Sequence, residues 1–141
     1  MEPASVTALL DTGFLLAVLD ADDELHEACV AALEAEPEPI LPDVVLPELA
    51  YMVLRELGPT PLSAFLNTVA DGELTIAYIT AEDLTRSAAL LVQYADNKID
   101  FVDCAIAALA ERLNIQYILT VDRRHFGALR PKHCDAFLLA P

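Results

Sequence analysis

Residues 8–12 read ALLDT and residues 117–122 read YILTVD, so each stretch runs from an apolar segment into an aspartate. Short apolar runs bounded by turn residues are typical of buried strands. The pattern after each aspartate is helical. In open α/β sheets, ligands bind outside the carboxyl ends of the strands, where such residues project. Asp11 and Asp122 are therefore candidate site residues, although each also suits the N-cap of the helix that follows it.

The remainder of the chain alternates between the same two patterns. Strands are predicted over residues 6–10, 40–41, 74–79, 117–120 and 136–139, and helices over 14–19, 22–35, 43–57, 60–70, 80–94, 100–113 and 123–126. No repeat or Gly/Ser linker divides the 141 residues, which predicts one domain over 1–141. Strands that alternate with helices indicate an α/β fold, with a mostly parallel central sheet flanked by helices.

The composition excludes several classes of protein. Hydrophobic residues make up 55% of the chain, which rules out disorder. No apolar run approaches the roughly 20 residues that span a bilayer, and the start of the chain lacks the pattern of a secretory signal. The cysteines at 29, 104 and 134 show no CxxC spacing and are expected to be reduced. We therefore expect a cytoplasmic protein that does not act at a membrane.

The formal charge of −15 is unevenly distributed along the chain. Residues 1–60 carry 13 acids against the single base Arg55, whereas the tail from residue 123 onward carries four bases against Asp135. Duplex binding depends on Lys and Arg neutralising phosphates, so this acidity argues against a general nucleic-acid coat protein. It does not exclude a nuclease whose carboxylates hold metal ions. The basic tail suits an anion, or equally a surface strip without a function.

Two further acids, Glu48 and Asp103, are surrounded at helical spacing by apolar residues. A buried carboxylate is rarely left unpaired, because its desolvation is costly. Before the basic tail, the chain offers only four bases as partners: Arg55, Arg86, Lys98 and Arg112. The alternative that stays open is that each carboxylate caps a neighbouring element or pairs with one of these bases.

Asp11, Glu48, Asp103 and Asp122 are thus partly buried carboxylates from distant segments, and together they predict one acidic pocket. Two like charges about 4 Å apart repel by roughly 4 kcal/mol at an effective dielectric constant near 20. Without a cation, some of these groups are expected to hold protons near neutral pH. A divalent ion removes the conflict, and oxygen ligands without a matching His/Cys set favour Mg²⁺ or Mn²⁺ over Zn²⁺.

A family resemblance is carried by four segments taken in order: LLDTGFLLAVL at 9–19, VVLPELAYMV at 44–53, DFVDCAIAALAERL at 100–113 and ILTVDRRHF at 118–126. Over nearly its whole length the chain resembles the PIN-domain ribonucleases, and most of all the VapC toxins of bacterial toxin–antitoxin pairs. The resemblance implies a single PIN-like domain that hydrolyses RNA phosphodiester bonds with Mg²⁺ or Mn²⁺. It places a catalytic quartet on Asp11, Glu48, Asp103 and Asp122, with the metal contacts on Asp11 and Asp103.

Several neighbours of the quartet are candidates for supporting roles. Thr12 and Thr120 offer hydroxyls to a phosphate or a metal-bound water, with ordinary capping as the alternative. Asp100 lies one turn before Asp103 and either supports the site or caps the helix, the latter being the role we expect. Arg123 and Arg124 directly follow Asp122, where they are placed to contact RNA phosphates or else form a solvated helix start.

The resemblance also implies partners. A small antitoxin is expected to bind the protein, and a homodimer is expected as well. The apolar helix over residues 44–57 is a candidate docking or dimer surface, or alternatively part of the core. Because RNA must approach an acidic body, we expect a structured RNA such as tRNA or rRNA as the substrate, with weak activity on bulk RNA.

The same sequence features suggest three other interpretations. The rival from a different class is a PIN-like scaffold that binds RNA or protein without cutting it. The DTG sequence at 11–13 is shared by retroviral-type aspartic proteases, but those are all-β proteins. A receiver domain would have a paired acid cluster at its first strand, where this chain has only Asp11. His26, His125 and His133 lack metal-motif spacing and are interpreted as surface or packing residues.

Overall fold

The computed structural model describes residues 7–141 and shows a central sheet of five strands, all parallel. The spatial order is β3-β2-β1-β4-β5. The strands are β1 (Thr7–Leu10), β2 (Glu38–Pro42), β3 (Thr75–Ala77), β4 (Tyr117–Leu119) and β5 (Leu138–Ala140). The helices are α1 (Thr12–Leu19), α2 (His26–Ala35), α3 (Val45–Leu57), α4 (Pro59–Ala70), α5 (Ala81–Gln93), α6 (Phe101–Leu113) and α7 (Arg123–Ala128). The α/β prediction is confirmed.

The centre of the sheet sets the position of the candidate site. β1 pairs with β2 on one side and with β4 on the other, and the register places Leu10 beside Leu119. Both leucines are buried. The backbone N–H of Asp11 donates to the Leu119 carbonyl at 3.0 Å, so the ladder extends one residue beyond β1. Asp11 and Thr120 therefore emerge side by side at the carboxyl edge of the sheet.

The alanine-rich helix α6 lies in the core. Its residues from 103 to 110 are all buried, which small side chains allow by letting neighbouring elements approach closely. Two ion pairs join α6 to α5: Arg86 Nε lies 2.7 Å from Glu111 Oε1, and Arg112 Nη2 lies 3.0 Å from Asp83 Oδ2. These pairs fix the helix that carries Asp103.

The predicted helix starts are confirmed at α5 and α6. Thr80 and Asp83 form a capping box, in which each side chain accepts from the other residue's backbone N–H. Asp100 and Asp103 form the same motif at α6. The N-cap role expected for Asp100 is therefore observed.

The prediction of a helix over 22–35 was wrong at its first turn, because α2 begins only at His26. The Asp20 carboxylate accepts from the Asp22 N–H at 3.1 Å, and the Asp23 carboxylate accepts from the Leu25 N–H at 2.8 Å. Aspartates offer the backbone such local turns in place of helical hydrogen bonds. The strand predicted over 74–79 is confined to β3, and Val6 of the first predicted strand lies outside the described residues.

Two further predictions concern membrane-spanning helices and the thiols of the cysteines. Within residues 7–141, every helix is too short or too polar to cross a bilayer. Cys29, Cys104 and Cys134 are free thiols, as predicted.

Candidate active site

A buried hydroxyl joins the ends of the two central strands. Thr120 Oγ1 donates to Asp11 Oδ2 at 2.7 Å and accepts from the Asp122 N–H at 2.9 Å. Thr120 is fully buried. Asp11 Oδ1 accepts in turn from the Thr12 N–H at 2.8 Å, which makes Asp11 the N-cap of α1. Thr120 therefore positions Asp11 and Asp122 relative to each other instead of capping a helix itself.

Asp103 approaches the same place from α6. The residue is only 6% exposed, and its backbone N–H donates to Asp100 Oδ1 at 2.9 Å. Burial raises the pKa of the Asp103 carboxyl, and the charges of Asp100, Asp11 and Asp122 raise it further. Asp103 thus shares one electrostatic environment with the carboxylates at the ends of β1 and β4.

Glu48 completes the group from the first turn of α3. It is half-buried, and its helix is anchored in the core by Val45, Leu49 and Val53. The charge of Glu48 contributes to the raised pKa of Asp11. The fold therefore brings together all four of the predicted acids, each from a different segment of the chain.

Burial dominates the protonation of this cluster. It raises the pKa of Asp11 to about 6, against hydrogen bonds from Thr120 and Thr12 that lower it. It raises the pKa of Asp103 to about 8, where the nearby charge of Asp100 adds to the effect. The expectation that some of these groups hold protons near neutral pH agrees with both directions.

Several arginines pair with acids outside the cluster or with backbone carbonyls. Arg55, Arg86 and Arg112 form ion pairs with Glu56, Glu111 and Asp83, respectively. Arg123 donates to the Pro141 carbonyl oxygen, and Arg124 is exposed. Across residues 7–141, the four clustered carboxylates form no ion pair with Lys or Arg. The alternative that one of the early bases pairs with them is not what the structure shows.

His125 was misinterpreted as a surface or packing residue. Its Nδ1 lies 2.8 Å from Asp122 Oδ2 and 3.1 Å from Asp103 Oδ2, inside the acidic cluster. The signal in the sequence was its position three residues after Asp122, which places both side chains on one face of a helix. The other two histidines do contact backbone carbonyls, His26 that of Ala17 and His133 that of Ile115.

The donor set suits a hard divalent cation. Carboxylate oxygens are the ligands that Mg²⁺ and Mn²⁺ prefer, and clustered carboxylates with raised pKa gain most from a nearby cation. Thr12, which is 4% exposed, adds a buried hydroxyl next to Asp11, and in residues 7–141 its Oγ1 has no hydrogen-bond partner. The residues present therefore fit a metal ion, and Asp11 and Asp103 are the most buried of the four carboxylates.

We expect the metal-free protein to lose stability as the pH rises from 5 to 8. Asp11 and Asp103 have a higher pKa in the folded chain than the ordinary value of 3.8, so in this range the folded state holds protons that the unfolded chain has released. Each such proton lowers the free energy of unfolding by up to about 1.4 kcal/mol per pH unit. Urea unfolding in chelator at pH 5, 6, 7 and 8 measures this slope.

The Asp103→Asn variant is the control for that experiment, since its amide cannot titrate and the slope is expected to become shallower. A free energy of unfolding that stays constant or increases from pH 5 to 8 in the unsubstituted protein would contradict the prediction.

The chain is similar to known proteins along most of its length. The PIN domain family model matches residues 8–130. Ribonuclease VapC26 of Mycobacterium tuberculosis (strain ATCC 25618 / H37Rv) is 33% identical over 134 residues, which cover 94% of this chain and 99% of that protein. The crystal structure of VapC20 from Mycobacterium tuberculosis, a Sarcin-Ricin loop cleaving toxin, superposes with a TM-score of 0.74 at 21% identity, covering 79% of this chain and 86% of that one.

A chain of a second solved structure has the same fold. VapBC2 from Rickettsia felis, bound to a DNA fragment from its promoter, contains a chain that superposes with a TM-score of 0.68 at 17% identity, covering 95% of this chain and 97% of that one. At these identities the solved structures establish the fold. The family model and the relative that is similar along its full length establish more: the chain belongs to the PIN domain family.

Proposed function

We propose that the protein is a metal-dependent endoribonuclease that hydrolyses RNA phosphodiester bonds with Mg²⁺ or Mn²⁺. The observation that carries this proposal is the meeting of Asp11, Glu48, Asp103 and Asp122 in one cluster that pairs with no Lys or Arg across residues 7–141. The similarity to a VapC ribonuclease along the full chain supports RNA as the substrate. Asp11 and Asp103 are proposed as metal ligands, with Glu48 and Asp122 completing the site.

The chemistry follows from the residue types. A bound divalent ion supplies a Lewis acid that makes water more nucleophilic and stabilises the charge that develops on the phosphate. Thr120 keeps the Asp11 carboxylate oriented through its 2.7 Å hydrogen bond. Thr12 offers its unpartnered hydroxyl to a phosphate oxygen or a water beside Asp11. Asp100 supports the site by capping the helix that carries Asp103.

The charge distribution favours a structured RNA over an arbitrary strand. An acidic body of formal charge −15 repels RNA, but at physiological salt the repulsion extends only about 8 Å from each charge. Arg124 is exposed two residues from Asp122, and Arg123 adjoins it. We propose both as phosphate contacts for a folded RNA, such as tRNA or rRNA. VapC20, whose fold is similar, is itself a Sarcin-Ricin loop cleaving toxin.

The decisive test is cleavage of a mixed tRNA and rRNA pool with Mg²⁺, Mn²⁺ or chelator. We expect discrete cuts that need a metal and that Asp103→Asn reduces by at least about 100-fold, because the amide removes one of the buried charges that hold the ion. Asp71→Asn makes the same chemical change at an exposed residue outside the cluster and is expected to cut normally. A folded protein that binds metal and leaves every RNA intact would favour the alternative of a non-catalytic PIN-like scaffold for RNA or protein.

The role of Thr120 is tested by Thr120→Val and Thr120→Ser. Valine keeps the shape but removes the hydroxyl that joins Asp11 to the Asp122 N–H, and the loss of such an outer hydrogen bond typically costs about 10–100-fold in metal affinity or activity. Serine keeps the hydroxyl and is expected to retain most of the cleavage rate. Thr85→Val removes a hydroxyl that donates only to its own helix and serves as the control. Equal activity of Thr120→Val and the unsubstituted protein would contradict the positioning role.

We also propose that the protein is the toxin of a toxin–antitoxin pair, acts in the cytoplasm and forms a homodimer. VapBC2 from Rickettsia felis, which contains a chain of similar fold, supports an antitoxin partner. The helix α3 was predicted to be a docking or dimer surface, or alternatively part of the core. Its residues fit both interpretations. Val45, Leu49 and Val53 are core residues, whereas Tyr51 and Leu54 are 66% and 51% exposed. The exposed side of α3 is the part that remains available to a partner.

Co-expression tests the partner. Induction of the protein alone is expected to arrest growth, while co-expression of the product of the adjacent gene is expected to restore it and to copurify. Tyr51→Ser with Leu54→Ser is expected to weaken this copurification or to shift the purified protein from dimer to monomer in light scattering. Undiminished growth with active, monomeric protein, regardless of the adjacent gene, would contradict the proposal.

A further inference from the structure

His125 lies among the carboxylates of the candidate site, although it is not one of the four acids. Its Nδ1 is 2.8 Å from Asp122 Oδ2 and 3.1 Å from Asp103 Oδ2, and one ligand atom from each of the three residues lies within 4.8 Å of the other two. We infer that His125 Nδ1 is a ligand of the metal site, and that it makes the site bind transition-metal ions such as Mn²⁺ in preference to Mg²⁺. This inference rests on the proposed function and specifies its metal.

The separations within this group suit adjacent ligands of one ion. In octahedral coordination with bonds of about 2.1 Å, neighbouring ligand atoms lie about 3 Å apart. Asp122 is the N-cap of α7 and His125 lies three residues later in its first turn, and the fold places Asp122 Oδ2 and His125 Nδ1 next to each other. Asp103 contributes the third atom from a different helix.

A hydrogen bond from Nδ1 explains the contact of the imidazole with only one of the two carboxylates that it approaches. Asp122 is already fixed as the N-cap of α7, because its Oδ1 accepts from the His125 N–H at 3.0 Å. A single N–H on Nδ1 can be well aligned with only one of the two carboxylate oxygens that it approaches. Metal ligation uses the lone pair of Nδ1 instead, in the neutral tautomer that carries its proton on Nε2.

The backbone holds His125 in place. The next residue, Phe126, is fully buried and packs edge-on against Phe137 with 6.3 Å between ring centroids. The His125 side chain itself is 28% exposed. The backbone of His125 is therefore held next to a core residue, while its imidazole is accessible from solvent, as an exchangeable metal ion requires.

A nitrogen ligand changes which ion the site prefers. Mg²⁺ demands oxygen ligands and gains little from imidazole, whereas first-row transition-metal ions accept both imidazole and carboxylate. A site of three or more carboxylates and one imidazole therefore still binds Mg²⁺ through its carboxylates. The imidazole increases the affinity only for ions such as Mn²⁺.

The experiment measures metal binding without RNA. The dissociation constants of Mn²⁺ and Mg²⁺ are determined by calorimetry for the unsubstituted protein and for His125→Asn, whose side-chain amide keeps a hydrogen-bond donor near the position of Nδ1. We expect His125→Asn to weaken Mn²⁺ binding by about 10–100-fold and Mg²⁺ binding by less than about threefold. Spin-echo electron paramagnetic resonance of bound Mn²⁺ is expected to show ¹⁴N coupling in the unsubstituted protein and none in the variant. His26→Asn, which changes a histidine on α2, is expected to match the unsubstituted protein.

The possible results distinguish a failure of the ligand assignment from a failure of the proposed function. Absence of ¹⁴N coupling in the unsubstituted protein, or equal weakening of both ions by His125→Asn, would overturn the ligand assignment while leaving the metal-dependent nuclease intact. Failure of the folded, unsubstituted protein to bind either ion would overturn the proposed function itself. The spectrum of the unsubstituted protein does not depend on whether the variant folds.

Discussion

The burial of the Asp11 and Asp103 carboxyl groups is the constraint on which the rest of the site depends. Burial raises the pKa of Asp11 to about 6 and that of Asp103 to about 8, and each pKa unit corresponds to about 1.4 kcal/mol against the charged form. The packing of the buried strand β1 and the buried helix α6 keeps both carboxyl groups away from solvent, so neither can regain its hydration. A divalent cation would offset this cost without movement, which is why the burial supports the proposed metal site.

Helix capping involves the same side chains as the proposed metal site, and the two roles are compatible. Asp11 and Asp122 both cap a helix with one carboxylate oxygen and direct the second oxygen to Thr120 and His125, respectively. The capping role that the sequence left open is therefore observed for both residues, and it leaves the second oxygen of each free for the proposed site role. A carboxylate whose first oxygen is fixed by a backbone N–H has few orientations left for the second, and such preorganisation is what a metal site requires.

The sequence pattern predicted which strand ends and which helix face carry the acids of the candidate site. The site residue that it did not predict, His125, depends on a tertiary contact. The strand ends at Asp11 and Asp122 were readable because parallel strands place their carboxyl ends on one edge. Glu48 stood out as an acid on an apolar helix face. His125 was missed because its contact with Asp103 spans 22 positions in the chain, and only the tertiary fold brings the two side chains together. The late start of α2 followed from aspartate turns, which compete with a helix through local hydrogen bonds that hydrophobic periodicity does not register.

The unequal distribution of charge bears on the proposed substrate. Residues 1–60 carry 13 acids against one base, whereas the bases at 123, 124, 130 and 132 follow Asp122 in the chain. Arg123 and Arg124 are both exposed, and at physiological salt a charge acts over about 8 Å. For the proposed RNA substrate, these two arginines therefore offer its phosphates an attractive charge next to Asp122. A folded RNA holds its scissile bond at a fixed position relative to the phosphates that such arginines contact, which is the physical reason why the proposal favours a structured RNA over an arbitrary strand.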